Sequence, residues 1–103
     1  MRTLPTALGH IDDEVTTAPE WDKALCTRLA RQLGYLLLWP PENTRLRLLD
    51  LVRETDVDAV IAPSPAHVDA LTLDRIMHVC DVETATPRET FARYFGGRRG
   101  CPA

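Results

Sequence analysis

The chain has 103 residues, with 12 Lys+Arg against 15 Asp+Glu for a formal net charge of -3, and 45% of it is hydrophobic. A domain of this size hides roughly 60 to 70% of its unfolded surface, so a core can form without a disulfide framework or a metal. A charged fraction of 26% and a mean hydropathy of -0.17 exclude a disordered polyelectrolyte and a membrane-spanning class. The mild acidity also argues against general polyanion binding.

The first apolar run, Thr6 to Ile11, reads as a strand and is followed by the acidic triplet Asp12-Asp13-Glu14. Thr17-Ala-Pro-Glu20 has the form of a capping box, with proline tolerated in the first turn, and predicts a helix start. Trp21, Leu25, Leu29 and Leu33 recur every four residues as its inner stripe, joined by Cys26 and Ala30, and Gly34 supplies a left-handed stop. Tyr35 to Trp39 is an apolar strand stopped by Pro40-Pro41. A second helix is predicted over Thr44 to Glu54, with Leu46, Leu49 and Val52 inward.

Val57 to Ala62 is the third strand, and its unbroken apolar character suggests cover on both faces, as in a parallel sheet. Pro63-Ser-Pro65 closes it, a helical stretch covers roughly 67 to 79, and Asp81 to Ala85 forms a fourth, more polar strand near an edge. Thr86-Pro-Arg-Glu89 has the form of a second capping box and predicts a short helix through Phe91 and Tyr94 that Gly96-Gly97 ends.

Strands alternating with helices define an α/β class: one domain over 1–95, an open, mainly parallel sheet of about four strands with helices on both faces. Residues 96–103 read as a flexible basic tail. In such sheets ligands bind beyond the carboxyl ends of the strands, where neighbouring crossovers leave on opposite faces. In the flavodoxin-like order 2-1-3-4 that rule selects the Asp12-Asp13-Glu14 loop and the loop Pro63 to His67.

Three stretches carry a resemblance: Ala7-Leu-Gly-His-Ile11, Leu29-Ala-Arg-Gln-Leu-Gly-Tyr35, and Leu48 to Ile61. In order and spacing they resemble the catalytic domain of serine recombinases of the resolvase/invertase family, over roughly residues 5 to 85. That family opens with a strand ending Tyr-x-Arg-x-Ser. Setting its preceding glycine on Gly9 puts His10 at the tyrosine, Asp12 at the arginine and Glu14 at the nucleophilic serine. The family's Asp-Arg-Leu-x-Arg cluster falls on Ala66-His67-Val68-Asp69-Ala70, so both phosphate-handling arginines are absent as well. The resemblance therefore implies a degenerate recombinase-like fold without strand-exchange chemistry.

The candidate crevice comprises Asp12, Asp13, Glu14, Ser64 and His67, with His10 beside it. Carboxylates and imidazole suit a divalent metal or acid/base work, but no metal-ligand spacing is present, and an acidic loop before a helix is also what the helix dipole favours. Ser64 next to His67 suggests a nucleophile and base, yet it lacks a nucleophile-elbow context and serves equally as a turn residue between prolines. No catalytic residue, metal or cofactor is assigned. Trp21 and Trp39 read as core or partly buried aromatics and His78 as a boundary residue. Phe91, Tyr94 and Phe95 either fold back on the sheet or form an exposed interface for a partner.

Cys26, Cys80 and Cys101 are odd in number and form no CxxC, which points to a reducing cytoplasm. No membrane segment is expected. The function expected is a non-catalytic interaction or regulatory domain with a protein partner or a homo-oligomeric state. The alternatives are a nucleic-acid-associated accessory protein, for Arg88, Arg93, Arg98 and Arg99, and a small enzyme using the crevice. DNA association would show steep salt dependence, about 0.9 in logarithmic slope per phosphate neutralised.

Overall fold

A computed structural model describes residues 4–42 and 44–94. Its elements are β1 (Thr6–Gly9), α1 (Pro19–Leu33), β2 (Leu36–Leu38), α2 (Leu48–Thr55), β3 (Ala59–Ala62), a 3-10 turn (Pro65–His67), α3 (Ala70–Met77), β4 (Asp81–Ala85) and β5 (Arg88–Phe91). The sheet runs β2-β1-β3-β4-β5, with the first four strands parallel and β5 antiparallel to β4. The open α/β sheet and its 2-1-3-4 order are therefore as expected, with a fifth strand added. The tail 96–103, with Arg98 and Arg99, and the aromatic Phe95 lie outside the described residues.

β3 holds the centre because every one of its side chains, Ala59 to Ala62, is fully buried. Its alternation splits the core in two. Val60 and Ala62 join Leu8, Val52, Ile76 and Val82 beneath α2 and α3, while Ala59 and Ile61 join Ala7, Cys26, Leu29 and Ala30 beneath α1. The parallel strands thus have helices on both faces, which their unbroken apolar sequence requires.

Gly34 ends α1 as expected, at φ 83°. Its amide bonds Arg31 O at 3.3 Å and the Tyr35 amide bonds Ala30 O at 2.9 Å, the paired closure of a Schellman motif. The stripe inside α1 is narrower than its spacing implies. Four residues exceed one helical turn by roughly 40°, so the row from Trp21 to Leu33 swings about a third of the way round the helix. Leu29 is buried mid-row, while Trp21 at one end is 64% exposed and Leu33 at the other is also open to solvent. The core reading of Trp21 is thereby corrected.

Local polar chemistry moves two other boundaries. α2 begins at Leu48 and not Thr44, because the Thr44 hydroxyl accepts the Leu46 amide at 3.2 Å in a turn that competes with the helix; Leu46 is left exposed. The third helical stretch divides at Asp69, whose side chain accepts the Thr72 amide at 2.8 Å and caps α3.

The predicted terminal helix is instead β5. Thr86-Pro87 is a cis turn, and the strand pairs Ala85 with Arg88 through Val82 with Phe91. A capping interaction contributes about 1 kcal/mol. The hairpin offers more: a hydrogen-bonded cover for the outer edge of β4, and partners for the buried Glu83. Glu83 receives Thr90 Oγ1 at 2.5 Å and ion-pairs with Arg88 at 3.0 Å.

Phe91 consequently packs against the core. Tyr94 lies against α3, its hydroxyl donating to Asp74 at 2.6 Å and its ring edge-on to His78 at 4.7 Å. Both residues fold back, Phe91 onto the sheet and Tyr94 onto α3, and each stays partly exposed.

Cys26 and Cys80 are buried free thiols. Burial pushes each up to about 12, helped by Asp22 beside Cys26 and Asp81 beside Cys80, so neither offers a thiolate at neutral pH. In a Cys101→Ser variant, a thiol reagent is expected to find no reactive group in the folded chain and both remaining cysteines after denaturation.

Candidate functional site

All four parallel strands point their carboxyl ends to one edge of the sheet, where the chain leaves β1 for α1 on one face and leaves β3 for α3 on the other. The loops after β1 and β3 line a crevice there of about 780 Å³, together with the start of α2. Asp12, Asp13, Glu14 and His67 line it as the topology rule expects. Ser64 is absent from the lining and has no side-chain hydrogen bond among the described residues; its carbonyl accepts the His67 amide at 3.2 Å.

His67 is 5% exposed and ties the two loops together. Its Nδ1 accepts the Asp12 amide at 2.9 Å, which fixes the proton on Nε2, facing Asp22 Oδ2 across 3.8 Å. Asp22 in turn accepts the Thr16 hydroxyl. His10 completes the latch, its Nε2 donating to the His67 carbonyl at 3.0 Å.

A carboxylate holding one imidazole nitrogen is the arrangement of a catalytic dyad, in which the other nitrogen collects the proton of a nucleophile. In His67 that other nitrogen is already occupied by a backbone amide. Among the described residues no serine, threonine or cysteine hydroxyl or thiol donates to it. Asp12 is likewise engaged, its Oδ1 accepting the Glu14 amide at 2.9 Å in a side-chain turn, while Asp13 and Glu14 are exposed. No group of three metal-ligating side chains occurs among the described residues.

Three residues enter the site that sequence reasoning missed. Asp22 comes from the first turns of α1, Arg47 precedes the first turn of α2 and Arg75 projects from α3. The two arginines stand among Asp12, Asp13, Asp50 and Asp69, so the crevice is mixed in charge and not a cationic cradle. The signal for Arg47 was present: a helix that follows a parallel strand begins at the same sheet edge as the loops.

Substituting His67 by Ala removes the acceptor of the Asp12 amide and is expected to cost about 1–3 kcal/mol of stability, read by urea denaturation. His10 adds a pH dependence. Burial holds its imidazole below the ordinary 6.5, outweighing the His67 carbonyl and the nearby Asp12 and Asp13, which act the other way. The folded chain therefore keeps His10 neutral where the unfolded chain takes up a proton. The stability this contributes is complete above about pH 6.5 and declines as pH falls below it toward the folded value. His10→Gln, which keeps a donor for the His67 carbonyl, is expected to flatten that part of a stability-against-pH curve.

A second hollow of about 470 Å³ adjoins the first and is walled by Gly9, Lys23, Trp39 and Pro40. Trp39 lies over Gly9, and Lys23 Nζ stands 5.8 Å from the centre of its ring. Searches against family models, curated proteins and solved structures return no match to this chain. No helix among the described residues is long and apolar enough to cross a membrane.

Proposed function

We propose that this chain is a non-catalytic interaction domain, a recombinase-like scaffold without the chemistry, that binds a protein surface. One observation carries this reading: the outer strand β2 is bordered by large apolar side chains that stand partly open to solvent. Leu33, Leu36, Leu38 and Trp39 are between 36% and 53% exposed. Leu36 and Leu38 open on the sheet face away from α1, and Leu33 and Trp39 on the α1 side, so β2 has exposed apolar side chains on both sides.

The contrast with the other sheet edge supports it. Proteins normally blunt an edge strand with charge, proline or cover. β5 follows that practice with exposed Arg88 and Glu89, whereas β2 is Leu-Leu-Leu. In the crevice His67 and Asp12 hold the two loops together.

Native mass spectrometry of the untagged chain purified gently from its own host tests the proposal. A spectrum of protein-only complexes is expected. A stoichiometric non-protein mass that disappears in Asp12→Asn would overturn it and return attention to the crevice.

A further inference from the structure

We infer that the partner on the β2 edge is a second copy of this chain, joined by antiparallel β2–β2 pairing about a two-fold axis at Leu37. The inference rests on the interaction-domain reading above and names its partner. In the parallel ladder Leu36 donates its amide to Pro5 O at 2.8 Å, and the register Thr6 to Leu36 through Leu8 to Leu38 turns Leu36 and Leu38 toward β1. Alternation then turns the Leu37 N–H and C=O outward, and neither has a partner among the described residues.

An outward residue flanked by inward ones is self-complementary. In an antiparallel pair, residues directly opposite exchange both hydrogen bonds, so Leu37 can pair with the Leu37 of a second copy. That register places Leu36 opposite Leu38 of the second copy, and Leu38 opposite its Leu36. These four side chains lie on the sheet face away from Leu37, whose own side chain packs with the α1 cluster. They form one leucine patch at cross-strand spacing of about 4.5–5.5 Å. No charged side chain occurs in β2 to oppose the pairing.

The area sets the strength. The pairing buries only Leu36 and Leu38 of each copy, well short of the ~800 Å² per partner of a standard interface, so the dimer is concentration-dependent and not obligate.

Sedimentation velocity of the full chain across low to high micromolar concentration is expected to show a monomer–dimer equilibrium. The variant Leu36→Lys/Leu38→Lys changes only exposed edge side chains; it is expected to keep the far-UV circular dichroism and weaken the dimer at least ~10-fold, from lost apolar burial and opposed like charges. The register is tested in a Cys101→Ser background. Oxidising a mixture of Leu36→Cys and Leu38→Cys chains is expected to cross-link the two kinds to each other. Each alone should cross-link poorly, because like positions sit diagonally at about 7–8 Å. A dimer that is unchanged in the double-lysine variant, or that cross-links without preference for unlike positions, overturns the inference. So does a chain that is monomeric throughout. If such a monomer still joins a different protein in its host, the interaction reading stands while the second-copy assignment falls; if it also carries a stoichiometric small molecule and no protein, both fall.

Discussion

Replacing Val60 by Asp is expected to abolish cooperative folding, whereas the same change at Leu36 leaves the fold in place. Val60 is fully buried in the central strand, between Leu8 of β1 and Val82 of β4, with α2 and α3 above it. A carboxylate there has no cationic partner and no water. Burying an unpaired charge belongs to the rare substitutions that cost more than about 4–5 kcal/mol, against a total stability of roughly 5–15 kcal/mol for a domain of this kind. Leu36 is more than half exposed on the outer strand, so its aspartate stays hydrated and costs on the order of 1 kcal/mol or less. Far-UV circular dichroism with urea titration of both variants reads the contrast. Equal losses would mean that β2 is covered and the exposed edge does not exist.

The second large effect is at Gly9. A Cβ placed there would stand 2.5 Å from the ring of Trp39, inside contact distance for carbon. Gly9→Ala must therefore displace the indole from the β1 floor and from Lys23 above it, a loss of about 1–3 kcal/mol of the overpacking kind. The coupling is specific: in a Trp39→Ala background the same glycine change is expected to be nearly neutral, giving an interaction energy of 0.5–3 kcal/mol, the range typical of residues in contact. Indole emission in a Trp21→Phe background should shift to the red with Gly9→Ala, since Trp39 is then the remaining tryptophan and moves into water. If both backgrounds lose equal stability, Gly9 matters for its backbone and not for the ring.

These two sites show which parts of the structure the sequence makes legible. β3 is readable because an apolar run buried on both faces has no polar positions to confuse it. The end of α1 is readable because Gly34 is needed for a left-handed backbone. The crevice is readable from topology alone, since four parallel strands bring His67 and the Asp12 loop to one edge.

What the sequence hides is whatever depends on comparison between distant segments. Tyr35 to Trp39 and Val57 to Ala62 look alike as apolar runs, but strand order puts one at the rim and the other at the centre. Thr86-Pro-Arg-Glu89 satisfies a local helix signal, yet Glu83 in β4 needs Arg88 and Thr90 beside it, and the local preference yields. The contact of Trp39 with Gly9 spans thirty positions of sequence, from 9 to 39, and joins the end of β1 to the residue that follows β2. Asp22 reaches His67, and Arg47 the crevice, because their helices start at that edge. His67, read as a candidate base, has its second nitrogen taken by an amide 55 positions away in sequence.

The most direct measurement on the β2 edge is residue-resolved amide hydrogen exchange of the full chain at low and high concentration. The amides of Leu36 and Leu38 face β1 and are expected to be protected at both. The Leu37 amide faces outward, so it should exchange freely in dilute solution and become protected as the complex forms. A Leu37 amide that exchanges equally fast at both concentrations, while sedimentation shows an assembled species, would place the interface elsewhere and contradict the role given to β2.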